Sequence, residues 1–118
     1  MTNAVTRWQI ISANPAKAAE FYCSLFGWQS STDNLLNYRA IDTASEKGIS
    51  GGIWPAPPGA PSFVQLFIEV PDCAASVAQA TKLGATVLVP VQALPDGDTM
   101  AILRDPDGMT FGVVQARE

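Results

Sequence analysis

No histidine occurs anywhere in the chain, so the side chain that most often ligates metals and moves protons near neutral pH is missing. Ser-His-Asp and Cys-His arrangements are excluded with it. Cys23 and Cys73 both fall in predicted helices, where small, buried, reduced thiols are expected, and no imidazole is present to activate either. Lys17 stands in the first turn of a predicted helix, and Lys47 and Lys82 read as solvent-facing, so no desolvated amine is marked out for Schiff-base chemistry. Gly51-Gly52 is too short to cradle a phosphate and reads as a bulge or a close backbone approach. One predicted strand, Phe63 to Val70, does bring useful groups together. Alternation puts Val64, Leu66, Ile68 and Val70 on an apolar face suited to a helix, and Phe63, Gln65, Phe67 and Glu69 on a mixed face. Two aromatics interleaved with a carboxamide and a carboxylate suit a half-sheltered groove for a small organic molecule. Burial against the other half of the domain, or against a second subunit, fits the same pattern.

The elements that must position these groups come in two similar runs. Residues 7–12 form a short strand. Asn14-Pro15 then starts a helix over residues 15–26, with Ala18, Phe21, Tyr22, Leu25 and Phe26 on its buried face and Gly27 as its left-handed cap. Residues 28–32, 38–42 and 49–54 are three further strands, separated by the turns Thr32-Asp33-Asn34 and Ser45-Glu46-Lys47-Gly48. A proline-rich linker spans residues 55–62. Residues 63–70 begin the second run, Pro71-Asp72 caps a helix carrying Val77, Ala80 and Leu83, and Gly84 ends it. Strands follow at 86–91, 99–104 and 109–115. Strand–helix–three strands thus occurs twice, about 57 residues apart as judged by Gly27 against Gly84. One domain covering residues 1–118 is expected, with module one at about 5–55 and module two at about 63–116.

Charged residues make up only 15% of the 118 and the net charge is −4, so a basic footprint for nucleic acid or an anionic membrane surface is absent. The longest uncharged run, Gly48 to Ile68, holds four prolines and cannot be a membrane-spanning helix. The N-terminal residues lack an apolar signal region, and a cytoplasmic location is expected.

Three segments carry a family resemblance: Asn14-Pro15-Ala16-Lys17-Ala18-Ala19-Glu20-Phe21-Tyr22-Cys23-Ser24-Leu25-Phe26-Gly27-Trp28, Gly51-Gly52-Ile53-Trp54-Pro55, and Asp105-Pro106-Asp107-Gly108-Met109-Thr110-Phe111-Gly112. Together they resemble the vicinal oxygen chelate superfamily, which includes glyoxalase I, extradiol dioxygenases, fosfomycin-resistance proteins and bleomycin-resistance proteins. The resemblance implies an α+β fold of two tandem βαβββ modules whose curled mixed sheets enclose a cavity. In the superfamily's metal enzymes four inward side chains hold a divalent ion. Carried over, those positions fall on Arg7, Gln65, Gly112 and, more loosely, near Ile53. Guanidinium, glycine and an aliphatic group do not ligate metals, and a lone carboxamide ligates weakly, so neither a metal nor another cofactor is expected. Asp96, Asp98, Asp105 and Asp107 read instead as solvated turn residues.

The resemblance leaves three functional readings. The first is a binding protein of the bleomycin-resistance type, taking a small organic molecule in a groove, with Arg7, Gln9, Tyr38, Trp54, Phe63, Gln65 and Phe67 as ligand-binding residues. A homodimer is expected with it, because half-open sheets leave edges and apolar grooves to cover. The alternative is a metal-independent lyase or isomerase, with Arg7 and Gln65 holding an oxyanion and Glu69 as base. Arg7 paired with Glu69 would do no chemistry. The third reading is an interaction module whose groove a partner subunit closes. Trp8 and Trp28 are assigned to the core.

Overall fold

A computed structural model describes residues 2–33 and 38–117. Asn14 starts the first helix by accepting a hydrogen bond from the Lys17 backbone N–H on its side-chain oxygen (3.2 Å), and Pro15 stands where a missing N–H costs nothing. Gly27 ends the helix at φ 74°, its N–H donating to the Cys23 carbonyl. Asp72 caps the second helix through the Ala75 N–H (3.0 Å). Leu83, rather than the expected Gly84, is its C-cap, and Gly84 follows at φ 105°.

In chain order the elements are β1 (Val5–Ser12), α1 (Pro15–Phe26), β2 (Gln29–Ser31), β3 (Arg39–Asp42), β4 (Gly51–Pro55), β5 (Phe63–Glu69), α2 (Cys73–Lys82), β6 (Thr86–Ala93), β7 (Thr99–Arg104) and β8 (Thr110–Gln115). The fold is α+β, strand–helix–three strands given twice, as the sequence predicts. β6 runs two residues past its predicted end, through Pro90. It pairs only with β7, so as an outer strand it tolerates a residue without an N–H, and the register slips between Val89 and Gln92. In the predicted turn Thr32-Asp33-Asn34, the Asp33 N–H bonds to Ser31 Oγ; Asn34 lies outside the described residues.

The chain divides into two compact units, Arg7–Gln65 and Met1–Thr6 with Leu66–Glu118. In the first, the strand order is β2-β3-β4-β1, with β1 and β4 parallel and the other neighbours antiparallel. Its core is Ala19, Ile41 and Ile53, with Trp8, Ile10, Ala18, Cys23 and Trp28 packed around them. In the second, the order is β5-β8-β7-β6, with β5 and β8 parallel. Its core is Val70, Cys73, Ala101, Leu103 and Val113. Burial, with a contribution from Asp72, raises the Cys73 thiol pKa above its ordinary value.

Two expectations about faces are corrected. On α1, Phe21 and Leu25 are each 59% exposed and Phe26 is exposed too, whereas Ala19 is buried. Small side chains at Ala18 and Ala19 make the helix's core contact, while Tyr22 and Phe26 turn toward Trp28, with ring centroids 6.0 and 5.2 Å away. On β5, the apolar face is only partly covered. Ile68 and Val70 belong to the core beside α2, but Val64 and Leu66 are exposed and Gln65 and Phe67 are buried. Alternation identified the two faces correctly; it could not say how far along the strand a ten-residue helix would reach.

Candidate functional site

β1 separates its side chains cleanly. Trp8 and Ile10 pack into the core beneath α1, which leaves Arg7, Gln9 and Ile11 on the opposite face. The parallel register sets Gln9 opposite Gly52 and Ile11 opposite Trp54, and the antiparallel register of β3 and β4 sets Ala40 opposite Gly52. Residues facing one another across a pair of strands share a face, so Gln9, Gly52 and Ala40 lie together there, as do Ile11 and Trp54.

A ring fills the space that Gly52 leaves. A Cβ at that position would come within 2.5 Å of Tyr38 Cε2, so any larger residue would displace the ring. The Tyr38 ring also stacks on Trp54 with centroids 4.4 Å apart and planes 6° from parallel. Of the glycine pair, read from the sequence as a bulge or a close backbone approach, Gly51 lies against the backbone and ring of Trp8 and Gly52 against the ring of Tyr38, and Gly52 is the site residue that sequence reasoning did not assign.

The polar centre of this face is a pair of amides. Gln65 Nε2 donates to Gln9 Oε1 at 2.8 Å, and the two side chains are only 6% and 5% exposed. Arg7, two residues before Gln9 on the same strand face, is half-buried and has no ion-pair partner among the described residues. Phe63 stands two residues before Gln65 and is half-buried. Six of the seven expected ligand-binding residues, Arg7, Gln9, Tyr38, Trp54, Phe63 and Gln65, thus fall in the Arg7–Gln65 unit.

Phe67 and Glu69 belong to the other unit. Phe67 is buried, and its ring occupies the space a side chain at Gly112 would need; the two residues are directly opposite in the β5–β8 register. Glu69 is exposed, and its backbone N–H bonds to the Ala4 carbonyl.

The residues present do not fit a metal of the kind the resemblance implies. Gly112 and Gly52 supply no ligand, and aromatic rings fill the volumes where a ligating side chain would begin. The expected fourth position needs correcting: Ile53 lies on the core side with Ala19 and Ile41, and Gly52 is the residue on Gln9's face. Among the described residues no group of three or more His, Cys, Asp or Glu could hold an ion. Three of the four turn aspartates already accept hydrogen bonds within the chain. Asp105 accepts from the Asp107 and Met109 N–H groups, Asp96 accepts from Asp98 N–H, and Asp98 holds the backbone and guanidinium of Arg117.

The family model of a glyoxalase-like domain matches residues 8–114. The chain is 27% identical over 110 residues to "Putative glyoxylase CFP32" of Mycobacterium tuberculosis, covering 91% of this chain and 42% of that protein. It therefore spans less than half the length of that relative. Among solved structures, a hypothetical protein from Bacillus halodurans superposes with a TM-score of 0.71 at 10% identity, covering 100% of this chain and 97% of the other. A glyoxalase/bleomycin resistance protein/dioxygenase superfamily member from Vibrio splendidus gives a TM-score of 0.66 at 14% identity, covering 98% and 100%. At these identities the structural likeness speaks for the fold.

Proposed function

The chain belongs to the glyoxalase-like domain family, and from that premise we propose that it binds a small, flat organic molecule without a metal ion. The observation that carries this reading is the hydrogen-bonded Gln9–Gln65 pair beside the Tyr38–Trp54 stack. Burying two carboxamides costs free energy unless their polar atoms are used. Apolar ring surface next to a few fixed donors and acceptors is what a small-molecule site requires. Arg7 adds a permanent charge and a forked donor for a ligand oxygen.

The test is a screen of flat aromatic compounds by protein-observed NMR. Shifts are expected to concentrate on Gln9, Tyr38, Trp54 and Gln65. Trp54→Ala should remove them while leaving the melting temperature nearly unchanged. A screen in which no compound perturbs these residues sinks the reading.

Arg7, without an ion-pair partner among the described residues, favours a second reading, a metal-independent lyase or isomerase in which Arg7 and Gln65 hold an oxyanion. Turnover of a bound carbonyl compound, abolished by Arg7→Ala with binding retained, would establish it. Binding without any product would exclude it for that compound. A homodimer is part of the first reading; sedimentation at twice the chain mass would support it and a monomer would remove it.

A further inference from the structure

A primary amide carries two N–H donors and one carbonyl acceptor. The single bond from Gln65 Nε2 to Gln9 Oε1 uses one donor of one amide and the acceptor of the other. Among the described residues, nothing bonds to the Gln9 NH2 group or to Gln65 Oε1. Exchanging oxygen and nitrogen in both amides leaves the same remainder, because one bond between two amides always frees one NH2 and one C=O. Nor are the free atoms sealed off. Among the described residues, Thr43 Oγ1 alone is a fully enclosed side-chain oxygen or nitrogen without a partner. Two buried side chains joined to each other therefore keep one unbonded NH2 and one unbonded C=O, each still in contact with solvent.

We propose that this amide pair reads an adjacent N–H and C=O on the ligand, the edge shared by lactams, imides and primary amides, and that it discriminates against carboxylates. The proposal rests on the binding reading above and names its substrate class. A ligand N–H meets the Gln65 carbonyl while the ligand carbonyl meets the Gln9 NH2. A carboxylate offers acceptors only, so it can take the Gln9 NH2 but leaves the Gln65 carbonyl oxygen without a donor. The flat part of the ligand is set by the same register. Gly52 lies opposite Gln9, and the Tyr38 ring sits over Gly52 and stacks on Trp54. The class is a planar heterocycle with its lactam edge toward the two glutamines.

Calorimetry on the wild-type chain tests this with three probes of one shape: 2-quinolinone, 2-methoxyquinoline and quinoline-2-carboxylate. The lactam should bind at least about tenfold more tightly than its O-methyl ether, because a site built to bond an N–H strands its own acceptor when that proton is missing. Gln65→Glu converts the edge to acceptors only, so this variant should lose 2-quinolinone and gain 2-aminoquinoline, whose protonated form offers two donors. Equal affinity for the lactam and its ether, with binding still dependent on Trp54, would overturn the edge and leave the binding reading standing. Tightest binding by the carboxylate would also overturn the edge. If none of the probes binds at all, the edge falls, and the compound screen of the preceding section decides the binding reading separately.

Discussion

At the residue scale, the site is set by what two glycines exclude. Gly112 and Gly52 each give their side-chain volume to an aromatic ring, but the rings differ in burial: Phe67 is buried and Tyr38 is only half-buried. Gly112→Ala should destabilise the chain by about 1–3 kcal/mol, since overpacking cannot be relieved there. Gly52→Ala should cost less, because the Tyr38 ring is less deeply buried than Phe67, and should weaken ligand binding instead. Urea unfolding of both variants checks the order. The amide pair makes a second prediction. Gln65→Leu strands a buried amide and should cost about 1–3 kcal/mol, whereas the double change Gln9→Leu with Gln65→Leu should recover part of it. Cys73 gives a third. Its folded pKa is raised by burial and by Asp72, so the folded chain holds that proton more tightly than the unfolded chain. The contribution is present below the unfolded thiol pKa and is lost as pH rises through the folded one. Thiol reagents should therefore label half-buried Cys23 first and reach Cys73 only on unfolding. Simultaneous labelling of both would contradict this.

At the scale of elements, the two helices do unequal work. Each begins at a side-chain cap that is replaceable only at a cost, and Asn14→Ala or Asp72→Ala should each remove roughly 0.5–2 kcal/mol, read from urea midpoints. The outer stripe of α1 is different. Phe21 and Leu25 stand mostly in solvent, so Phe21→Gln should shift the isolated chain's stability by no more than about 0.5 kcal/mol. A large loss would mean that the ring is covered in solution. β6 shows the complementary rule for strands, since Pro90 is accommodated because β6 has a partner on one side only.

For the whole molecule, the absence of histidine and the filled glycine volumes together predict indifference to divalent ions. A specific ion at a hundred times its dissociation constant would add about 2.7 kcal/mol to stability. Added zinc, nickel or magnesium should give no shift of that size, and a chelator should leave the melting temperature unchanged. A clear shift would reveal a site the residues described here do not form. The same scale separates the candidate residues. Arg7, Gln9, Tyr38, Trp54, Phe63 and Gln65 lie in one compact unit, and Phe67 and Glu69 in the other.

The order of elements, the helix N-caps and the two faces of β1 and β5 were legible in the sequence, because each is fixed by local chemistry. Proline and glycine set the backbone, short polar side chains satisfy free N–H groups, and a strand alternates with period two. Even the glycine pair carried its own signal of a close approach. Tertiary structure alone decided which face was buried and by what. Val64 and Leu66 are apolar yet exposed, while Gln9 and Gln65 are polar yet buried, because burial depends on where a helix ends and which strands become neighbours. The bond between Gln9 and Gln65 joins residues 56 apart in the chain. No local pattern encodes that distance, and no reading of either glutamine by itself foretells that two amides would meet in a buried place.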